Sequence, residues 1–262
     1  MKEFLEKIRK PKTGIPLKRQ LAATVGIILL GVALGVLQKW LDATAANTLP
    51  LLLQRLDIGN YFGRLAIWFL LGTAVSVYSA SPLRAGINTF CFFISMVAGY
   101  YLYCHYVLGF LPRSYMMIWV LMSFASFFLA MVCWYAKGEG TPAVLLSAVI
   151  LGALLAQAVN LRIDRGFYVY HLMEVFTWLA GVLLLRRRGK EFAVEMGLSV
   201  VAAVLYQLIL PHTKSTRATS LPFYMVLEAL INEIGTRLAP LSVQKMNEIN
   251  RYVISEGIIR NE

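Results

Sequence analysis

Residues 21–40 read LAATVGIILLGVALGVLQKW, an apolar run of 20 residues that contains one charged side chain, Lys39. A helix needs about 20 such residues to cross the roughly 30 Å hydrocarbon core of a bilayer. Runs of similar length recur along most of the chain. Of its 262 residues, 58% are hydrophobic and 15% are charged, whereas about 25% are charged in soluble domains. The sequence therefore predicts an all-α, polytopic transmembrane helix bundle.

Seven apolar segments predict about seven transmembrane helices within a bundle that covers residues 21–211. The segments are residues 21–40, 61–79, 83–106, 114–135, 142–159, 167–185 and 192–210. Ser81-Pro82 and Thr141-Pro142 each predict an N-cap followed by proline in the first helical turn. Residues 49–57 are too short and too charged to span, and predict an interfacial helix or a lid.

The bundle is flanked by two more polar segments. Residues 1–20 form a basic, partly helical arm with seven Lys or Arg residues. Residues 212–262 contain no run long enough to span. Their periodicity predicts an amphipathic tail of two helices that lie on the membrane, pack on the spans or bind a partner.

The distribution of Lys and Arg indicates the orientation, because these residues favour short cytoplasmic loops. Seven spans with a cytoplasmic N-terminus place 13 of them on the cytoplasmic side and 6 on the other side before the tail. This pattern predicts a multipass protein of the cell membrane. The side of the tail stays open, because Lys214 and Arg217 oppose an external tail. The net charge of +11 is explained by these loops and the anionic lipid headgroups that they meet, so no nucleic-acid partner is expected.

Glu174 is the clearest candidate for a functional residue inside a span, because a charge at the bilayer centre costs at least about 2.5 kcal/mol. His171 lies three residues earlier and shares its helix face. Four further polar residues fall near the same outer level: His105, Gln157, Asn160 and Gln207. One hypothesis is a polar cavity open to the outside, with Glu174 and His171 as proton carriers or ligands for a cationic solute. The other, which we favour, is that these residues line helix contacts or reach the nearby interface.

Motifs for hydrolysis or ATP use are absent from the sequence: there is no HExxH, no Gly-x-Ser-x-Gly and no phosphate-binding loop. The three cysteines lie in apolar segments without metal-ligand spacing, so no metal or cofactor is predicted. Glu191 and Glu195 begin a predicted helix, where the helix dipole favours negative charge without invoking catalysis. The chain is therefore not expected to be an enzyme.

Gly31 and Gly35 form a GxxxG pair that permits close approach of another helix. An internal helix contact is favoured, and an interface with another membrane protein is the alternative. The basic arm, the amphipathic tail and the lack of catalytic motifs favour a partner-binding or regulatory membrane subunit. The alternative function is a small-solute transporter, or a subunit of one, with its polar cavity around Glu174. A lipid-modifying enzyme is supported by no motif.

Residues 69–140 carry a more specific pattern. Its features are Ser81-Pro82-Leu83-Arg84, the tyrosines at 100, 101 and 103, Pro112-Arg113-Ser114-Tyr115, and the run CWYAKG at 133–138. This stretch resembles a bacterial family of small multipass membrane proteins known only as a domain of unknown function. The resemblance implies a bacterial inner-membrane location, and it implies no activity or functional residues.

Overall fold

The computed structural model describes residues 2–162 and 166–209, and the predicted tail of residues 212–262 lies outside them. Two short 3-10 helices lie at Ala46–Thr48 and Trp134–Lys137. Strands β1 (Val159–Asn160) and β2 (Tyr168–Val169) pair antiparallel, with Val159 opposite Val169. The α-helices are α1 (Lys2–Ile8), α2 (Leu17–Ala43), α3 (Leu51–Arg55), α4 (Ile58–Tyr61), α5 (Leu65–Tyr78), α6 (Pro82–Tyr106), α7 (Arg113–Cys133), α8 (Gly140–Ala158), α9 (Leu172–Leu185) and α10 (Lys190–Ile209).

The predicted all-α membrane bundle is confirmed. Five helices of the described residues, α2, α6, α7, α8 and α10, are long and apolar enough to cross a membrane. Two more apolar helices, α5 and α9, have 14 residues each, which is about 21 Å at the usual rise per residue. That length is shorter than the hydrocarbon core, so the count of seven spans stays a prediction.

Of the two short helices, α5 lies inside the bundle and α9 lies at its surface, where Leu172, Phe176 and Leu183 are exposed. The two helices contact each other, with α6 packed on α5 and α8 packed on α9. Further out, α2 and α7 pack on α6, and α10 packs on α8. In the apolar 18-residue windows of α6 and α8, more than half of the residues are buried, against 11% in those of α2 and α7. The outer helices therefore present most of their apolar side chains to lipid.

Small residues allow the outer helices to approach closely. A Cβ atom on Gly31 or Gly35 would collide with the backbone of α6, and the one on Gly35 would overlap the carbonyl oxygen of Met96. Where α8 meets α10, a Cβ atom on Gly152 would lie 2.7 Å from the carbonyl oxygen of Ser199. The structure thus places the GxxxG face in a helix contact within the chain, where α6 occupies it.

One of the two predicted proline-type helix starts forms as expected. The Ser81 hydroxyl accepts a hydrogen bond from the backbone N–H of Arg84 at 3.2 Å, with Pro82 in the first turn of α6. The other start differs, because α8 begins at Gly140 and Glu139 occupies the N-cap position. Gly140 has φ +80°, a conformation that glycine adopts without steric cost, so Thr141 lies inside the helix.

Two predicted spans are shorter than the apolar runs that suggested them. Helix α5 begins at Leu65 and not at residue 61, because α4 and a turn precede it. Helix α9 begins at Leu172 and not at residue 167, because Tyr168–Val169 pairs with β1 in a hairpin. Apolar composition predicts an apolar helix in each segment, but it does not show where the backbone leaves the helical conformation.

The basic arm packs against one end of the bundle. The Arg9 guanidinium donates to the carbonyl oxygens of Trp134 and, at 2.8 Å, Val77. The backbone N–H of Glu139 donates to the carbonyl oxygen of Ile8 at 2.8 Å. We call this the arm end, and we call the opposite end, which carries the β1–β2 hairpin, the hairpin end.

Candidate functional site

Three charged residues form a cluster at the hairpin end. Arg64 is the N-cap residue of α5, and Glu174 lies in the first turn of α9. The Arg64 Nε atom pairs with the Glu174 carboxylate, and its Nη1 atom lies 2.7 Å from Asp57 Oδ2. The exposed fraction of these side chains falls from 39% at Asp57 to 12% at Arg64 and 1% at Glu174. The hairpin-end cluster, Asp57, Arg64 and Glu174, thus leads from the surface into the bundle.

The chain reaches this arrangement through a tight turn at Asp57, whose φ of 55° is left-handed. Aspartate tolerates that conformation better than most residues do. Asn60 donates to Asp57 Oδ1 at 2.6 Å and holds the turn. Partial burial tends to raise the pKa of Asp57, but the hydrogen bonds from Arg64 and Asn60 and the positive charge of Arg64 outweigh it. The pKa of Asp57 is therefore below its usual value.

A buried hydrogen bond beside Glu174 joins α4 to α9. The Thr177 hydroxyl lies one turn after Glu174 and donates to the carbonyl oxygen of Met173 at 2.8 Å. A hydroxyl carries a single donor hydrogen, so the Tyr61 hydroxyl is the donor in its 2.6 Å contact with Thr177. Tyr61 and Arg64 together fix the segment before α5 against the start of α9.

A second cluster, again of two acids and one arginine, lies at the arm end, where the chain passes from α9 to α10. Arg187 Nε is 3.5 Å from Glu195 Oε1, and its Nη1 is 3.6 Å from Glu191 Oε2. The exposed fractions are 58% for Glu191, 8% for Arg187 and 0% for Glu195. Arg187 also donates to the carbonyl oxygens of Ala136 at 2.7 Å and Gly138 at 3.0 Å. The helix dipole alone had explained the two glutamates, whereas the structure gives them a shared cationic partner.

The hairpin-end cluster and the arm-end cluster (Glu191, Arg187 and Glu195) share one design. Each has one arginine between an acid at the rim and a fully buried glutamate. Beyond the ion pair with Arg64, the Glu174 carboxylate accepts no hydrogen bond from the described residues, and Ser147 faces the Glu195 carboxylate. Each cluster holds two acids for one cation, so it can accommodate one further positive charge. Buried ionisable groups at membrane depth are costly, which makes both clusters candidate functional sites.

Two other candidate residues fasten the β1–β2 hairpin. The Gln207 amide donates to the carbonyl oxygens of Ala156 and Val159 at 3.0 and 2.7 Å, and its oxygen accepts from the Leu161 N–H at 2.9 Å. Asn160 donates to the carbonyl oxygen of Gly166 at 2.6 Å. These bonds satisfy backbone groups where α8 ends, so both side chains have a structural role.

The remaining candidates do not join a common cavity with Glu174. His105 is exposed near the end of α6, with its ring against Tyr106. Gln157 is buried and donates to Ala153 of its own helix at 3.2 Å. His171 is the N-cap residue of α9, without a side-chain cap bond. The six predicted residues therefore divide among separate places.

Arg64 is the residue that the sequence analysis missed, because it was counted as an ordinary loop cation. Glu174 was the available signal, since a buried carboxylate in a bilayer requires a cationic partner. Arg64 is 110 positions away in the chain, and no spacing rule joins residues at that separation.

Metal binding is not indicated within residues 2–162 and 166–209, where no three His, Cys, Asp or Glu side chains are grouped to hold an ion. Cys91, Cys104 and Cys133 are free thiols. Comparisons with family models, curated proteins and solved structures found no match to this chain. The resemblance of residues 69–140 to a bacterial multipass family therefore stays a prediction.

Proposed function

We propose that this protein is a membrane carrier for a small solute, in which the hairpin-end and arm-end clusters act as two gates. The observation that carries the proposal is that the two clusters lie at opposite ends of one short helix, α9. Glu174 is in its first turn, and Arg187 lies just beyond its last turn. A carrier must be able to close on either side of its substrate. An ion pair at each end supplies a contact that forms or breaks without disturbing the apolar bundle.

The short helices support the same function. Unusually short hydrophobic segments are a feature of transporter binding sites, because their irregular ends line a polar path. Here α5 and α9 contact each other, and irregular backbone precedes each of them. Non-helical backbone at this depth is tolerated where protein or a cavity surrounds it.

The excess of acid in each cluster indicates the type of substrate or coupling ion. With all groups ionised, each cluster carries a net charge of −1. A proton or a cationic solute would neutralise that charge and remove part of the electrostatic cost of burial. We therefore propose that Glu174 and Glu195 bind a proton or a cationic group in alternation.

We also propose a multipass protein of the bacterial cell membrane, with the arm end in the cytoplasm. The excess of Lys and Arg on the arm side supports this orientation. Both short helices cross the membrane in this arrangement, giving seven spans. Local thinning of the bilayer and the segments that precede α5 and α9 would supply the missing length.

Proteoliposomes loaded with a pH-sensitive dye test the carrier function. Choline, lysine and spermidine, added singly across an imposed pH gradient, are the probes. A carrier produces dye responses that depend on one of these cations and are lost in Glu174→Gln. Glu3→Gln removes an exposed acid of α1 and is the matched control. Equal responses from wild type, Glu174→Gln and empty liposomes would reject cation carriage.

A role as a partner-binding or regulatory subunit is the second candidate and depends on residues 212–262. Crosslinking in native membranes tests it. A specific crosslinked protein that disappears on deletion of residues 212–262 would favour this function over an independent carrier.

A further inference from the structure

A cleft at the arm end is separate from both charge clusters. Its volume is about 370 Å³, near the lower limit of the roughly 300–1,000 Å³ usual for small-molecule sites. It lies where α2 begins, α5 ends and α6 begins. Its polar lining comprises Lys12, Arg19, Gln20, Ser79, Arg84 and Asn88, together with Tyr78. This size and position suit a small polar ligand.

The charge of the cleft defines the ligand chemistry. Lys12, Arg19 and Arg84 line it, and no carboxylate is among the described residues around it. None of the three cations pairs with a carboxylate of residues 2–162 or 166–209. Elsewhere, Arg64 and Arg187 each have two acidic partners. Among the residues that the structure describes, the cleft is therefore a basic site without a neutralising carboxylate.

The structure holds the Arg84 side chain and the backbone of Lys12 in place beside the cleft. One Arg84 nitrogen, Nη2, donates to the carbonyl oxygen of Gln20 at 2.8 Å and to the Thr24 hydroxyl at 2.9 Å. These neutral acceptors position the guanidinium without cancelling its charge. The backbone N–H of Lys12 donates to the carbonyl oxygen of Ala80 at 2.8 Å, which fixes the arm across the end of α5.

The geometry points to a binding site for a phosphate group in this cleft. Arginine and lysine together provide the forked donors and the point charge that phosphate oxygens prefer. The ends of membrane-spanning helices lie at the level of lipid headgroups, so a phospholipid or a soluble phosphate compound can supply the group. The site does not depend on the carrier function proposed above.

Native mass spectrometry of the purified, delipidated protein tests the site with named probes. Phosphatidylglycerol and the zwitterionic phosphatidylcholine form the lipid arm, and glycerol 3-phosphate forms the soluble arm. Preferential binding of phosphatidylglycerol identifies a lipid site, and binding of glycerol 3-phosphate alone identifies a soluble ligand. The double variant Lys12→Gln/Arg19→Gln removes two exposed cations whose side chains make no hydrogen bond or ion pair in the described residues. Each cation removed should weaken binding of the preferred probe about fivefold.

Lys18→Gln is the matched control, because Lys18 is an exposed neighbour that does not line the cleft. It should bind the preferred probe within twofold of wild type. The proposal is overturned if neither phosphatidylglycerol nor glycerol 3-phosphate binds. It is also overturned if the double variant binds as wild type does, or if Lys18→Gln weakens binding as much as the double variant.

Discussion

Replacing Arg64 with methionine removes the cation that the described residues place against Glu174. The methionine preserves most of the apolar volume, so the main loss is electrostatic. Glu174 is 1% exposed and cannot recover hydration. Breaking a buried ion pair from one side costs about 3–5 kcal/mol, because the other charge is left uncompensated. Asp57 adds little to this cost, because its side chain is 39% exposed and water can solvate it.

Thermal unfolding in a mild detergent, followed by intrinsic fluorescence, measures the effect. A domain of 150–250 residues loses roughly 2–4 °C of Tm per kcal/mol, so Arg64→Met should lower the Tm by at least about 6 °C. The double variant Arg64→Met/Glu174→Gln leaves no buried charge and should recover most of that loss. Arg55→Met, at an exposed position of α3, is the matched control and should cost about 0.5 kcal/mol or less.

The recovery in the double variant distinguishes an electrostatic pair from simple packing. If Arg64 acted only by filling space, adding Glu174→Gln would not restore stability. A Tm for Arg64→Met within 2 °C of wild type, or a double variant as unstable as the single one, would refute a coupled buried pair.

Three further predictions concern other parts of the fold. Gly35→Leu should destabilise the α2–α6 contact by about 1–3 kcal/mol, whereas Gly26→Leu, on the same helix with open space around it, should not; chemical unfolding compares them. Gln207→Leu should cost about 1–3 kcal/mol by leaving backbone groups unpaired at the end of α8, and should raise hydrogen exchange in the β1–β2 hairpin. The pKa of Asp57 in the folded protein is lowered. Its contribution to stability is therefore present above about pH 3.9, the ordinary pKa of aspartate, and is lost as pH falls through the lowered value. Asp57→Asn should remove that part of the acid dependence of Tm.

The sequence predicts the parts of this structure that follow from solvation and local chemistry. Long uncharged runs define the helices, and Ser81-Pro82 defines the start of α6 because capping is local. Glycine spacing predicts a close internal contact for α2, and the structure identifies α6 as the partner. The partner of Glu174 and the hairpin before α9 depend on contacts between residues far apart in the chain. Helical spacing paired Glu174 with His171, but the tertiary fold pairs it with Arg64.

The helix-dipole explanation of Glu191 and Glu195 was sufficient for their position but incomplete. It accounts for acids in the first turns of α10, and it does not predict that Arg187 lies within 3.6 Å of both. That arginine belongs to the most basic loop of the chain, where four cations were equivalent in sequence. Only the tertiary fold, in which α9 and α10 both pack on α8, distinguishes Arg187 from its neighbours.

Alternating closure of the two clusters is tested most directly by cysteine accessibility. Thr177 lies one turn after Glu174 of the hairpin-end cluster, and Ser147 faces Glu195 of the arm-end cluster. Both residues are buried. Thr177→Cys or Ser147→Cys, placed in a variant whose native cysteines are replaced by serine, is labelled with a membrane-impermeant maleimide in nanodiscs. Adding Arg64→Met should speed labelling at position 177 and slow it at position 147. Faster labelling at both positions, or no change at position 147, would contradict coupled gates.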